Sequence, residues 1–109
     1  MLIEFDKMQE VTIAYLNAGN GAVSAKMFIQ PECKMMISRI PAGASIGLHE
    51  HTTSSEINYV LDGNGKAVCD GKEEMLQAGV CQYCPKGSSH TIFNTGMADL
   101  VLFTVVTEQ

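Results

Sequence analysis

Tight-turn residues recur along this chain at intervals that leave room for short strands and little else. Gly19-Asn20-Gly21, Pro41-Ala42-Gly43, Asp62-Gly63-Asn64-Gly65, Asp70-Gly71, Ala78-Gly79, Pro85-Lys86-Gly87 and Asn94-Thr95-Gly96 all carry them. Asp-Gly and Asn-Gly pairs supply the positive φ that hairpin turns require. Short apolar runs lie between: Met35 to Ile40, Ile57 to Leu61, Lys66 to Cys69, Val80 to Cys84, Thr91 to Phe93 and Leu100 to Val106. Many short strands punctuated by turns predict an all-β sandwich or barrel. Past Ile29 no segment is long and uninterrupted enough for a helix, and only Asp6 to Leu16 has room for a short one. The 109 residues contain no repeat, low-complexity stretch or linker, so one domain over 1–109 is expected.

The run Leu100-Val101-Leu102-Phe103-Thr104-Val105-Val106 is apolar on both parities. A strand covered on one face alternates. This one is expected to be covered on both, which points to a subunit interface and a homodimer. Met1 to Asp6 is a candidate to pair with the partner's sheet.

Composition excludes several classes of function. Net charge is −5, and the seven Lys and Arg are scattered singly, so no basic stripe exists to track phosphates and nucleic-acid binding is disfavoured. No run approaches the ~20 apolar residues of a membrane span. The start Met1-Leu2-Ile3-Glu4-Phe5-Asp6 lacks the basic and apolar regions of a signal peptide. A soluble, cytoplasmic protein is expected. Cys33, Cys69, Cys81 and Cys84 would then stay reduced. Cys81 and Cys84 form a C-x-x-C, but on the strand-like Val80 to Pro85 two residues three apart face opposite ways. All four cysteines read as small packers.

Chemistry concentrates in four residues. His49, His51 and His90 are the chain's three histidines, and Glu56 lies five residues after His51. On a strand, the spacing of His49 and His51 puts both imidazoles on one face. Glu56 can enter from the start of the neighbouring strand, and a barrel can return His90 to the same pocket. Three imidazoles and one carboxylate suit a first-row divalent metal. Spacing alone leaves the alternative open, in which the histidines are hydrogen-bonded core residues and Glu56 is a solvated charge.

A longer pattern bears on that choice. Gly43 to Gly63 reads Gly, five residues, His-x-His, four residues, Glu, six residues, Gly. Gly79 to Asn94 reads Gly, five residues, Pro-x-Gly, two residues, His, three residues, Asn. These stretches resemble the first and second motifs of the cupins, and ten fixed positions agree in type and spacing. The fifteen residues from Asn64 to Ala78 resemble the short inter-motif linker of compact microbial cupins. The resemblance implies a conical jelly-roll β-barrel, usually homodimeric. It implies that His49, His51, Glu56 and His90 hold one divalent ion, with manganese, iron, zinc, nickel, cobalt and copper all admissible.

Further pocket residues follow from strand parity. If Glu56 points inward, Asn58 and Val60 share its face, while Ile57, Tyr59 and Leu61 do not. Ser45 and Gly47 share the parity of His49. On the strand before Pro85, either Gln82 and Cys84 or Cys81 and Tyr83 face inward. Asn58, Gln82 and Tyr83 are thus the candidate catalytic or ligand-orienting groups, with Tyr83 a possible general acid. Glu50 and Arg39 are the remaining charged candidates, and Arg39 is as readily a salt-bridged residue. The expected ligand is a small polar metabolite such as a sugar or carboxylic acid. The expected role is a metal-dependent enzyme of isomerase, dioxygenase, decarboxylase or lyase type, or a non-catalytic metal-dependent binding or sensing protein.

Overall fold

The computed structural model describes residues 1–109. Ten strands form: β1 Val11–Ala14, β2 Ala22–Ile29, β3 Cys33–Ile40, β4 Ser45–Glu50, β5 Ser54–Asp62, β6 Asn64–Cys69, β7 Lys72–Gln77, β8 Cys81–Cys84, β9 Ser89–Asn94 and β10 Leu100–Glu108. All pairings are antiparallel. One sheet has six strands in the order β1-β2-β3-β10-β5-β8, and the other has four in the order β4-β9-β6-β7. The fold is all-β and fits the cupin jelly roll. Its strand pairings make two facing sheets rather than one closed hydrogen-bonded cylinder.

The strands divide the space between the sheets into a filled end and an open end. Val23, Ile40, Val60, Leu100 and Leu102 of the large sheet pack on Ala67, Leu76 and Ile92 of the small one. Each of these large side chains gains roughly 1.5–3 kcal/mol on leaving water. One or two inward positions along the same strands the lining changes. After Leu100 and Leu102 come Thr104 and Val106; before Val60 come Asn58 and Glu56; before Ile40 come Ser38 and Met36. These residues line a cavity of about 320 Å³ at the open end.

One expectation is corrected. Asp6 to Leu16 holds no α-helix: β1 lies there, with 3-10 turns at Phe5–Lys7 and Leu16–Ala18. β-branched Val11, Thr12 and Ile13 favour extension, and they pair with Ala25, Ser24 and Val23. From Leu100 to Val106 the even residues of β10 are buried and the odd ones partly exposed within the single chain. Part of its second cover comes from its own chain, since the Phe5 ring meets Phe103 edge-on at 6.1 Å. Met1 to Asp6 thus supplies a residue to its own sheet. Finally, β2 and β7 are strands that no apolar run announced.

Candidate metal centre

The four singled-out side chains are delivered by three stretches of backbone. His49 is near the end of β4, His51 just beyond it, Glu56 near the start of β5 and His90 near the start of β9. β4 and β9 pair with His49 opposite His90. The irregularity between Ile46 and His49 in that pairing shifts the parity of β4. As a result Ile46 lines the cavity together with His49, whereas Ser45 and Gly47 do not. Gly47 is required by a neighbour: a Cβ there would lie 1.9 Å from the carbonyl oxygen of Asn17. Gly87, at φ 91°, makes the turn that returns the chain to β9 and His90.

The ligand-type atoms of His49, His51, Glu56 and His90 all lie within 4.8 Å of one another. His90 Nε2 is 3.0 Å from His49 Nε2, 3.2 Å from His51 Nε2 and 2.9 Å from Glu56 Oε2. His51 Nε2 is 3.4 Å from Glu56 Oε1. Neighbouring ligands about 2.1 Å from one ion are separated by about 3.0 Å in an octahedral arrangement and about 3.4 Å in a tetrahedral one. The four contacts, from 2.9 to 3.4 Å, lie close to those values.

The hydrogen-bond network says what these nitrogens carry. His49 Nδ1 sits 2.8 Å from the Gly47 carbonyl oxygen, which can only accept, so Nδ1 carries the proton. His90 Nδ1 is 3.0 Å from Gln82 Oε1. The orientation of that amide is fixed on its other side, where Nε2 donates to Glu74 Oε1 and to the Tyr83 carbonyl. His90 therefore also donates from Nδ1. Neutral rings protonated at Nδ1 have bare Nε2 atoms, and those of His49 and His90 face each other and a carboxylate. Three lone-pair acceptors converging this closely repel unless a cation lies among them, so the donor set fits a divalent ion.

Burial lowers the His51 imidazole below its ordinary 6.5, helped by His90 and His49 and opposed by Glu56, so the ring stays neutral. Burial alone would raise the Glu56 carboxyl. Its polar neighbours His90, Asn58 and His51 outweigh that and hold it below its ordinary 4.5, with the Asn58 amide donating directly to its Oε2.

The remaining candidates separate cleanly. Asn58 is 2% exposed and lines the cavity. Its Nδ2 donates to Glu56 Oε2 at 2.8 Å and its Oδ1 accepts from Thr104 Oγ1 at 2.6 Å. Gln82 is buried behind His90 and also accepts from Asn58. Gln82 and Cys84 face inward; Cys81 and Tyr83 face outward. Tyr83, 54% exposed on the outer surface, has no access to the cavity as a general acid. The two thiols of the C-x-x-C diverge as parity requires. Cys81 is exposed rather than packed, and burial pushes the Cys84 thiol up to about 12. Arg39 pairs with Glu10 and Asp99 outside the cavity, and Glu50 is exposed.

Two residues of the network were not singled out from sequence. Ser54 places its hydroxyl 3.1 Å from His51 Nδ1. Thr104 holds Asn58. Thr104 carried a signal, being the one hydroxyl in an apolar run and sharing parity with Leu102 and Val106. Ser54 shares the parity of Glu56 and stands beside Ser55, which bonds Lys86 instead.

Known proteins resemble this chain closely. Residues 36–106 match the cupin domain family. An oxalate-binding protein of Thermotoga maritima is 30% identical over 97% of this chain and 93% of its own length. The crystal structure of a predicted oxalate decarboxylase of Thermotoga maritima superposes with a TM-score of 0.94 at 28% identity, covering 100% of both chains. An RmlC-like cupin of Shewanella frigidimarina shares the fold, with a TM-score of 0.81 at 18% identity over 98% of this chain and 89% of the other.

Proposed function

The chain belongs to the cupin domain family, and we propose that it is a single-domain, divalent-metal-dependent protein that takes a small carboxylate or other oxygen-rich metabolite into its cavity. The observation that carries this is the convergence of bare Nε2 atoms of His49 and His90 with His51 and an ionised Glu56. These four residues would hold the ion. Manganese, iron, zinc, nickel, cobalt and copper all suit such a donor set. When bound, the ion supplies Lewis-acid polarisation of a carbonyl or carboxylate oxygen. The chain does the rest. Asn58 and Gln82 hold Glu56 and His90 in position, and the two sheets shield the inner side of the cluster, where His90 has no exposed surface. The relative described as oxalate-binding supports a carboxylate ligand.

One observation favours a binding or sensing protein over an enzyme of the isomerase, dioxygenase, decarboxylase or lyase type. Outside the four-residue cluster, the ionisable groups lining the cavity are Lys34 and Glu108, and both are exposed. Catalysis here would have to rest on the ion rather than on a side-chain acid or base.

The outer face of the large sheet supports a homodimer. Ile57, Tyr59, Leu61 and Tyr83 are 40–54% exposed there, which is a surface that a second copy would bury. No helix is long and apolar enough to cross a membrane. Four free cysteines suit a reducing cytoplasm.

Elemental analysis tests the core of the proposal, with close to one divalent ion per chain expected. Metal-free protein that also refuses added zinc and manganese would sink it. Carboxylates that raise the melting temperature of metal-loaded protein are then assayed for turnover with and without oxygen. A ligand that persists unchanged identifies the binding role. Product that still forms in a metal-free His51→Ala variant refutes a metal-centred site.

A further inference from the structure

The cavity is larger and more apolar than its polar cluster needs. Its volume is about 320 Å³. At one end are His49, His51, Glu56, Asn58 and Thr104. From there it extends across β3 to β2 and β1, where Ile13, Val23, Ala25, Met27 and Met36 form most of the wall and Ser38 is the one hydroxyl among them. Apart from Ser38, these side chains offer no donor and no acceptor stronger than a thioether sulfur. Water in that arm finds few partners and is readily displaced by an apolar group. Oxalate has six heavy atoms, four of them oxygen, and no apolar group to set against such a wall. Pockets of ~300 Å³ and more accommodate considerably larger ligands.

Charge points the same way. A divalent ion with Glu56 and three neutral imidazoles carries a net charge of +1. No arginine lines the cavity, and its other cation, Lys34, is exposed and shares the lining with exposed Glu108. A monoanion neutralises this site. A dianion leaves one charge in the cavity without a buried partner, and such a charge is costly.

We propose that the ligand is a monoanionic oxygen chelator bearing an apolar substituent, such as a 2-oxo or 2-hydroxy acid with a branched aliphatic or thioether chain. Its head lies at His49, His51 and Glu56, and its tail lies along Ala25, Met27 and Met36. This inference rests on the metal-dependent reading above and sets the substrate class of the same site.

Calorimetry on the full chain separates the two claims. Zinc is titrated first, with no carboxylate present, and saturation at one ion per chain is expected. Zinc-loaded protein is then titrated with pyruvate, 4-methyl-2-oxopentanoate and oxalate. Each buried methylene favours binding by a factor of about four, so the three extra carbons of 4-methyl-2-oxopentanoate give up to about 60-fold over pyruvate. At least ~10-fold is expected, since burial is partial. Ala25→Leu, which fills the arm, should bring the two 2-oxo acids within about threefold of each other. Should that variant fail to fold, Met27→Gln keeps the volume at a half-buried position and should selectively weaken the branched acid. Failure to bind zinc overturns the metal reading and this inference with it. Zinc binding followed by equal affinities for the 2-oxo acids, or by tighter binding of oxalate, overturns the inference alone.

Discussion

Gln82→Met should loosen the metal site without touching the cavity. Gln82 is 3% exposed and stands behind His90, outside the cavity lining. Its Oε1 accepts from His90 Nδ1 at 3.0 Å and from Asn58 Nδ2 at 3.3 Å. Methionine fills a similar volume but offers only a weak acceptor. The His90 N–H then lies buried without a partner, which costs about 1–3 kcal/mol. Asn58 loses the weaker of its two Nδ2 bonds and keeps Glu56. For a domain of this size the loss corresponds to a melting temperature lower by roughly 5–15 °C. The ring also loses the bond that fixes its tautomer, so part of the population carries its proton on Nε2, where the ion must bind. Removing such an orienting partner typically weakens metal affinity about 10- to 100-fold. The assay is zinc affinity by competition with a chelator at pH 7.5, alongside the melting curve of metal-free protein. A folded Gln82→Met variant with wild-type zinc affinity would refute the argument that the Nδ1 bonds set bare nitrogens toward an ion.

Metal-free protein should lose stability on acidification in two stages. His51 has a folded pKa below its ordinary 6.5, so its contribution is present above pH 6.5 and lost as pH falls through the folded value. Glu56 behaves alike below its ordinary 4.5, and chemical denaturation between pH 8 and 3.5 reads both. Gly47→Ala forces a Cβ to 1.9 Å from the Asn17 carbonyl, and the backbone shift needed should cost about 1–3 kcal/mol in urea unfolding. Tyr59→Glu, on the exposed face of β5, should convert a dimer to a monomer in light scattering with zinc affinity unchanged, whereas a monomeric wild type would rule out that interface.

Much of the site was legible because its residues obey a two-residue period locally. Glu56, Asn58 and Val60 face inward together, as parity requires. Parity could not tell which half of Cys81-Gln82-Tyr83-Cys84 faces inward, because every residue there tolerates either side. The answer comes from pairing: Glu56 stands opposite Cys84 and Asn58 opposite Gln82, so the inward set of β5 imposes its own on β8. Parity misled on β4, where the irregularity before His49 turns Ile46 into the cavity. β7, Lys-Glu-Glu-Met-Leu-Gln, has local preferences that oppose a strand. It is an edge strand held by its register with β6, where charged residues deter further pairing.

The division between filled and open ends explains why a chain this short tolerates a polar cluster. A buried carboxylate and three imidazoles are expensive in the centre of a small core. Here the large apolar side chains of β5, β9 and β10 pack together, and the cluster follows one or two inward positions further along the same strands. The backbone pairing that places His90 opposite His49 is therefore anchored by Ile92, two residues on, which is 1% exposed in the core. Position in the site and position in the core are set by one register. A slip of one residue on β9 would turn both His90 and Ile92 outward. The apolar end thus protects the register that the cluster needs.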